Sequence, residues 1–480
     1  MEYFIAIAFL LYFLMLMSIG FFFYAQTTTA SAFIVGNRSI NYWVTAIATQ
    51  ASDMGGWIFF ALPATIYTSG MLQAWTAIGL WVFMFINWIF IAPRLREKTA
   101  HYNASTLATF FQRRFNEDVT QVSLHQLTTF ISLVFFIFYI SSSFVALGRL
   151  FESIFHISYT SGVYLGLLFA VGYTLLGGFI AIAWTDFFQG MFLFFVIVFV
   201  PCYAFWMHPN PIQTIYDLQK PSSFFSLFPS AYETIQGIIL ACSWGLGYFG
   251  QPHIIANFMG IKSKRDIRAA MYIGMLWQGI VFAAAIGIGI VGLAYFHLAP
   301  ADSESLFIKL VTQLFHPFLS GCMLCAILAA ILSTVDSHIL ISGSLLAECM
   351  TDTEDPEKKN AHTVWLSRVC SLGVSLISLT MALYSSSSIY LLVNYAWSGF
   401  GSALGPVVLI ALYGPTWITH QGACAGILTG TIVSLLFPYI TPDLLPLIPG
   451  FSSGMIAIYL VSYLTYPSKP SLSSPTNDTL

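Results

Sequence analysis

Trp244-Gly245-Leu246-Gly247-Tyr248-Phe249-Gly250-Gln251-Pro252-His253 interrupts a stretch apolar enough to sit in a bilayer. Ala51-Ser52-Asp53-Met54-Gly55-Gly56-Trp57 does the same far earlier in the chain. Hydrocarbon offers a free backbone amide or carbonyl no partner. Broken backbone at membrane depth therefore has to be buried in protein or line a wet cavity. Two such breaks in separate halves of an apolar chain point to the binding site of a transporter.

The composition agrees. Of 480 residues, 58% are hydrophobic and 8% charged, whereas a soluble domain carries roughly 25% charged residues. The formal net charge of −3 offers no basic surface for nucleic acid. The seven cysteines lie in or beside apolar segments, so no disulfide framework is expected. The N-terminus lacks a basic region and a small-residue cleavage site, so residues 3–23 are expected to be a first membrane helix rather than a removed signal.

At about 20 apolar residues per crossing, thirteen spans are expected: 3–23, 41–67, 71–93, 123–154, 160–180, 186–207, 233–256, 269–296, 310–345, 363–384, 389–413, 421–439 and 446–466. With the N-terminus outside, fourteen Lys and Arg residues fall on the cytoplasmic side, and only Arg149, Lys220 and Lys309 fall outside. That bias fits the positive-inside rule and leaves the C-terminus cytoplasmic. The expected organisation is one all-α transmembrane domain, 1–466, followed by a Ser- and Pro-rich cytoplasmic tail, 467–480, expected to be disordered. That tail is too short for a signalling module, which counts against a membrane sensor. No GxSxG, HExxH, Walker A or dinucleotide pattern occurs in a suitable context, and no acid–base set is clustered. Enzymatic chemistry and ATP-driven pumping are thereby disfavoured, and coupling to an ion gradient remains.

An ionisable residue at membrane depth is a functional candidate because a charge in lipid is costly. Asp53 sits in the first break, where unwinding frees carbonyls for an alkali cation and amides for a carboxylate. It could also cap the half-helix that follows, and the two roles are compatible. Ser333 and Thr334 offer two adjacent hydroxyls on a helix rich in small residues, although such hydroxyls often bond back to a carbonyl. Asp336 lies on the Ser333 face and requires a cation, a proton or a hydrogen-bonding neighbour. Asp186, in Ala183-Trp184-Thr185-Asp186, falls near a span end where it could face water. His253 and His338 lack metal spacing. Trp57, Tyr139, Trp244 and Tyr248 occur at or near the breaks. Trp244 and Tyr248, four residues apart, would present an apolar wall with a phenol for hydrogen bonding.

These residues resemble the sodium/solute symporter family, most closely its sodium/proline branch, over about residues 10–465. The matching motifs are Ala51-Ser52-Asp53-Met54 with Gly56-Trp57, Ala181 to Asp186, Trp244 to His253, Ala326 to Ala330 with Ser333-Thr334, and Tyr395 to Gly401 before Gly405-Pro406. The resemblance implies a LeuT-type fold with two inverted five-helix repeats, about 41–207 and 233–413, one helix before them and two after. It implies a sodium site at the carbonyls of Ala51, Met54 and Ala330 and the hydroxyls of Ser333 and Thr334. It implies a substrate site at Asp53, Gly56, Trp57, Tyr139, Trp244, Tyr248, Gln251 and Pro252. A second cation or proton site would involve Asp186, Asp336 and Ser337.

The activity it implies is sodium-driven uptake of a small zwitterionic solute, L-proline, across a bacterial cytoplasmic membrane. Membrane lipid is the surrounding partner, and no obligate protein partner is evident. Another amino acid or an osmolyte is the alternative solute, and a transporter-like sensor the alternative class. Two positions depart from the proline-transporter pattern: Gly55 and Asp336 each stand where that pattern has a Ser-type residue.

Overall fold

The computed structural model describes residues 2–24, 29–115, 124–218, 220–297, 299–351, 356–384, 389–441 and 445–466. The expected tail, 467–480, lies outside them. The principal helices are α1 (Glu2–Tyr24), α2 (Tyr42–Met54), α3 (Ala61–Ser69), α4 (Ala74–Ile86), α5 (Ala92–His101), α6 (Leu124–Phe155), α7 (Tyr159–Met207), α8 (Ala231–Gly245), α9 (Pro252–Gly260), α10 (Ile267–Tyr295), α11 (Pro317–Met350), α12 (Pro356–Tyr384), α13 (Ile389–Tyr413), α14 (His420–Ile440) and α15 (Leu447–Thr465).

Ten helices among the described residues are long and apolar enough to cross a membrane. The count of thirteen is therefore not reached by length and composition. Both expected broken spans consist of helices too short to cross alone: α2 with α3, and α8 with α9. The remaining apolar stretch, Tyr159–Leu175, is also short. It belongs to α7, which bends at Gly178 (φ 62°, ψ −165°), a backbone conformation that glycine adopts without steric cost.

Each break has a local cause. Gly55 has φ 49° and ψ −172°, so the helix cannot continue through it. The last four residues of α2, Ala51 to Met54, then have carbonyls without helical partners, and the negative end of the helix dipole lies there. In the second break Pro252 has no N–H to give to the carbonyl of Tyr248, four residues earlier. Asn87, in the wide turn Asn87–Ile91 between α4 and α5, supplies the missing donor: its Nδ2 lies 3.3 Å from the Tyr248 carbonyl oxygen.

The glycines of the second break serve close approach. A Cβ on Gly247 would fall 2.0 Å from Trp397 Nε1, and one on Gly250 would fall 2.2 Å from the Phe400 carbonyl oxygen. The break is thus pressed into α13. Around it, α10 packs on α2 and α3, and α11 packs on α1, α2, α6, α7 and α12.

The basic residues gather at one end of the bundle. Arg38 donates to the carbonyls of Thr99 (3.0 Å) and Ala104 (2.8 Å). Arg96 donates to the Ile261 carbonyl at 2.7 Å. Lys98 bonds the carbonyls of Ala411 (3.1 Å) and Leu412 (3.0 Å) at the end of α13, and Lys264 pairs with Glu97. Cations at helix C-terminal carbonyls complement the helix dipoles there.

Candidate functional site

The two breaks meet in the interior. Tyr248, fully buried in the second, donates its hydroxyl to Asp53 Oδ2 in the first at 2.5 Å. Gln278 of α10 donates Nε2 to the same Tyr248 oxygen at 3.0 Å. Trp57 Nε1 donates to the Asp53 backbone carbonyl at 3.3 Å, tying the bent chain to itself. Asp53 is also buried.

On one side of this contact lies a group of oxygens. Ser333 Oγ donates to the Ala51 carbonyl at 2.9 Å and sits 3.1 Å from the Ala330 carbonyl. Thr334 Oγ1 donates to the Ala330 carbonyl at 3.1 Å. Thr334 also borders Gly55, where an added Cβ would lie 3.4 Å from its hydroxyl oxygen. Met54, the last residue of α2, is buried beside them. The structure thus brings four of the five expected sodium ligands into direct contact, with Met54 adjoining. Neutral carbonyl and hydroxyl oxygens suit a hard alkali cation. Rotation of the two hydroxyls would take their protons off the carbonyls, so that hydroxyl and carbonyl lone pairs could face a cation held between them.

Linked to the contact through Trp57 and Trp397 lies a cavity of about 60 Å³, lined by Trp57, Tyr139, Trp244, Tyr390 and Trp397, with Thr65, Gln73 and Thr76 among its polar members. One water needs roughly 10–15 Å³ in the same measure, so the space suits a few waters or part of a small solute. It extends toward the connection between α3 and α4, away from the basic end. Trp397 sets its wall: its Nε1 donates to the Trp244 carbonyl at 2.8 Å, and its ring lies edge-on to Tyr248 at 5.1 Å.

The expected substrate residues divide accordingly. Trp57, Tyr139 and Trp244 line the cavity, while Asp53 and Tyr248 form the buried contact and are not among its lining residues. Gly56 abuts Ile331 of α11. Gln251 spans the break, donating Nε2 to the carbonyls of Gly247 (3.1 Å) and Trp397 (3.3 Å). Pro252, first in α9, lines a separate small space with Ile255, Ser344 and Leu345. Neither Gln251 nor Pro252 is among the cavity's lining residues.

A second polar cluster sits between α7 and α11. Tyr173 donates its hydroxyl to Asp336 Oδ2 at 2.6 Å, and the Ser337 amide donates to Asp336 Oδ1 at 2.6 Å. Ser337 Oγ donates to Asp186 Oδ2 at 3.3 Å. Asp186 Oδ1 is buried without a hydrogen-bond partner among the described residues. The reading of Asp186 as a water-facing span end is corrected. The helix turns at Gly178, two turns earlier, so Asp186 lies inside the bundle and is 1% exposed.

Several features were not read from sequence. His338 Nε2 and His253 Nδ1 lie 3.1 Å apart, with the Tyr139 ring 4.2 Å from that of His338. This layer adjoins Tyr139, and neither histidine is among the cavity's lining residues. Gln278, Trp397 and Asn87 were also missed. A lone amide in an apolar helix is the signal that could have flagged Gln278.

Comparison with known proteins completes the picture. Residues 33–430 match the sequence model of the sodium:solute symporter family. The chain is 36% identical to the high-affinity proline transporter PutP of Bacillus subtilis, covering 96% of this chain and 98% of that protein. It is 38% identical to a sodium/proline symporter of Staphylococcus aureus, with 95% and 91% covered. Among solved structures, a Na+-coupled sialic acid symporter in a substrate-bound outward-open state superposes with a TM-score of 0.82 at 16% identity, covering 97% of this chain and 99% of that one. MhsT in complex with L-phenylalanine superposes at 0.57 and 15% identity, with 88% and 97% covered. These likenesses fix a LeuT-type transporter fold, not that of an enzyme. The chain belongs to the sodium:solute symporter family.

Proposed function

We propose that this protein couples inward sodium movement to uptake of a small zwitterionic solute, L-proline. One observation carries the reading. The Ser333 and Thr334 hydroxyls and the Ala51 and Ala330 carbonyls converge on the same short break that carries Asp53, whose contact with Tyr248 is linked to the aromatic cavity through Trp57 and Trp397. A cation bound among those oxygens would sit at the negative end of α2 and tie α2 to α11. The same break carries Asp53, so sodium occupancy and the shape of the solute site are set by one short segment. That adjacency is what ion coupling requires: each ligand stabilises the arrangement the other binds. Aromatic walls fit an apolar ring, and the broken backbone supplies polar groups for charged ends. The proline-transporting relatives support the solute.

The repeats are assigned to about residues 41–207 and 233–413, within a single domain. The N-terminus lies outside and the C-terminus in the cytoplasm of a bacterial inner membrane. The basic end of the bundle supports this orientation. Exposed apolar side chains such as Phe21, Phe130, Ile432 and Leu464 support a lipid-facing surface.

Asp186, Asp336 and Ser337 form a second cation site in this reading. Two buried carboxyl groups joined through Ser337 can both be ionised only with a cation beside them; without one, a proton has to neutralise one of the two. The test is uptake of labelled amino acids into proteoliposomes under an imposed sodium gradient, with Asp53→Asn alongside. Sodium-driven proline uptake by the wild type, strongly reduced in the variant, is expected. Wild-type-like transport by Asp53→Asn would remove the assigned role. Preference for another solute in the panel would replace proline.

A further inference from the structure

We propose that Gln278 is a positioning residue of the transport site, directing the single hydroxyl proton of Tyr248 onto Asp53. The proposal rests on the site assignment above. Gln278 lies on α10 and is fully buried. Its Nε2 is 3.0 Å from the Tyr248 oxygen, which is itself 2.5 Å from Asp53 Oδ2. A phenol has one proton and a carboxylate has none, so the proton lies between Tyr248 and Asp53. The Tyr248 oxygen is left with acceptor capacity, and the Gln278 amide fills it. The amide orientation follows from the network: reversed, it would set two acceptors against each other. Among the described residues Gln278 Oε1 has no hydrogen-bond partner, so the bond to Tyr248 is what holds the amide in that sense.

The position on α10 makes this more than a local bond. One turn further, Phe282 packs against Trp57 with ring centroids 5.9 Å apart. Residues 278 and 282 share a helix face. That face therefore meets the second break through Tyr248 and the first through Trp57. Gln278 is not among the cavity's lining residues or the proposed sodium ligands. Its influence has to pass through Tyr248.

The experiment is a double-mutant cycle of Gln278→Leu and Tyr248→Phe in proteoliposomes, reading the proline KM and the half-saturating sodium concentration. Loss of one buried hydrogen bond should raise the KM roughly twofold to tenfold in Gln278→Leu. In the Tyr248→Phe background the same change should alter it by less than about twofold, because the oxygen it acts through is gone. Equal fold-changes in both backgrounds would overturn the proposal, as would an unchanged KM in Gln278→Leu. Should Gln278→Leu fail to fold, Gln278→Glu keeps the size and presents an acceptor in place of the donor, with the same dependence on the Tyr248 hydroxyl expected. If the wild type takes up no proline, the substrate assignment fails separately. The cycle is then read from sodium-induced tryptophan fluorescence, where additive effects of the two substitutions would overturn the role of Gln278.

Discussion

Ser333→Ala and Thr334→Ala should raise the half-saturating sodium concentration for uptake, and the structure sets different secondary effects for the two. Each removes one oxygen from the proposed ion site. A hydrogen bond to a charged group contributes about 1.5–3 kcal/mol, and loss of one neutral ligand to a cation is of that order. Tenfold per 1.4 kcal/mol converts this to roughly tenfold to a hundredfold in apparent sodium affinity. Ser333 also donates across helices to the Ala51 carbonyl at 2.9 Å, whereas Thr334, among the described residues, bonds within its own helix. Ser333→Ala should therefore also loosen α11 from α2 and lower the melting temperature in detergent, while Thr334→Ala should not. Thr334→Ser keeps the hydroxyl and should retain near-normal sodium dependence. The assay is the initial rate of labelled proline uptake against sodium concentration at fixed membrane potential. If the double alanine variant kept wild-type sodium dependence, neither hydroxyl would belong to the ion site.

Trp244→Ala should raise the proline KM far more than the half-saturating sodium concentration, because Trp244 lines the cavity and none of the proposed sodium ligands does. Equal effects in the uptake assay would mark it as packing. Gly55→Ser should lower the melting temperature without tightening proline binding. A Cβ there meets nothing closer than 3.4 Å, but φ 49° with ψ −172° costs a side chain of order 1–3 kcal/mol. An unchanged melting curve would show that the break relaxes freely. Asp336→Asn should lower the Hill coefficient of sodium-dependent uptake toward one if the Asp186–Asp336 pair holds a second cation. Uptake driven by a pH gradient without sodium, and lost in Asp336→Asn, would make the pair a proton carrier.

What the sequence made legible was whatever the local chain dictates. A glycine pair after Asp53 and a glycine-proline run after Trp244 break helices whatever surrounds them. The breaks, the membrane class and the basic end of the bundle could all be read in advance. Ser333 and Thr334 became readable only through family resemblance, because hydroxyls on a helix look alike until the partner carbonyl is known. Gln251 and Pro252 joined the expected substrate set through the family resemblance. The chain turns into α9 there, so Gln251 spans the backbone of the break and Pro252 lines a different space. Asp186 was misread because a span boundary was placed at it, whereas the bend falls at Gly178.

The residues that sequence could not supply are those whose role is defined by a partner far along the chain. Tyr395-Ala396-Trp397-Ser398-Gly399-Phe400-Gly401 read as a family signature without a mechanism. The structure gives one, because this stretch is the surface that receives the second break. Trp397 occupies the space that a side chain on Gly247 would take, and the Phe400 carbonyl occupies that of Gly250. The Gly401 side faces Gly247 closely enough that a Cβ there would lie 2.8 Å from the Gly247 Cα. Two motifs some 150 residues apart are therefore one interface. The Trp397 bond to the Trp244 carbonyl fixes the wall of the cavity, and the glycines fix how deeply the break can seat. A substitution at Gly247 or Gly250 would act on the solute site through α13 rather than through any ligand contact of its own.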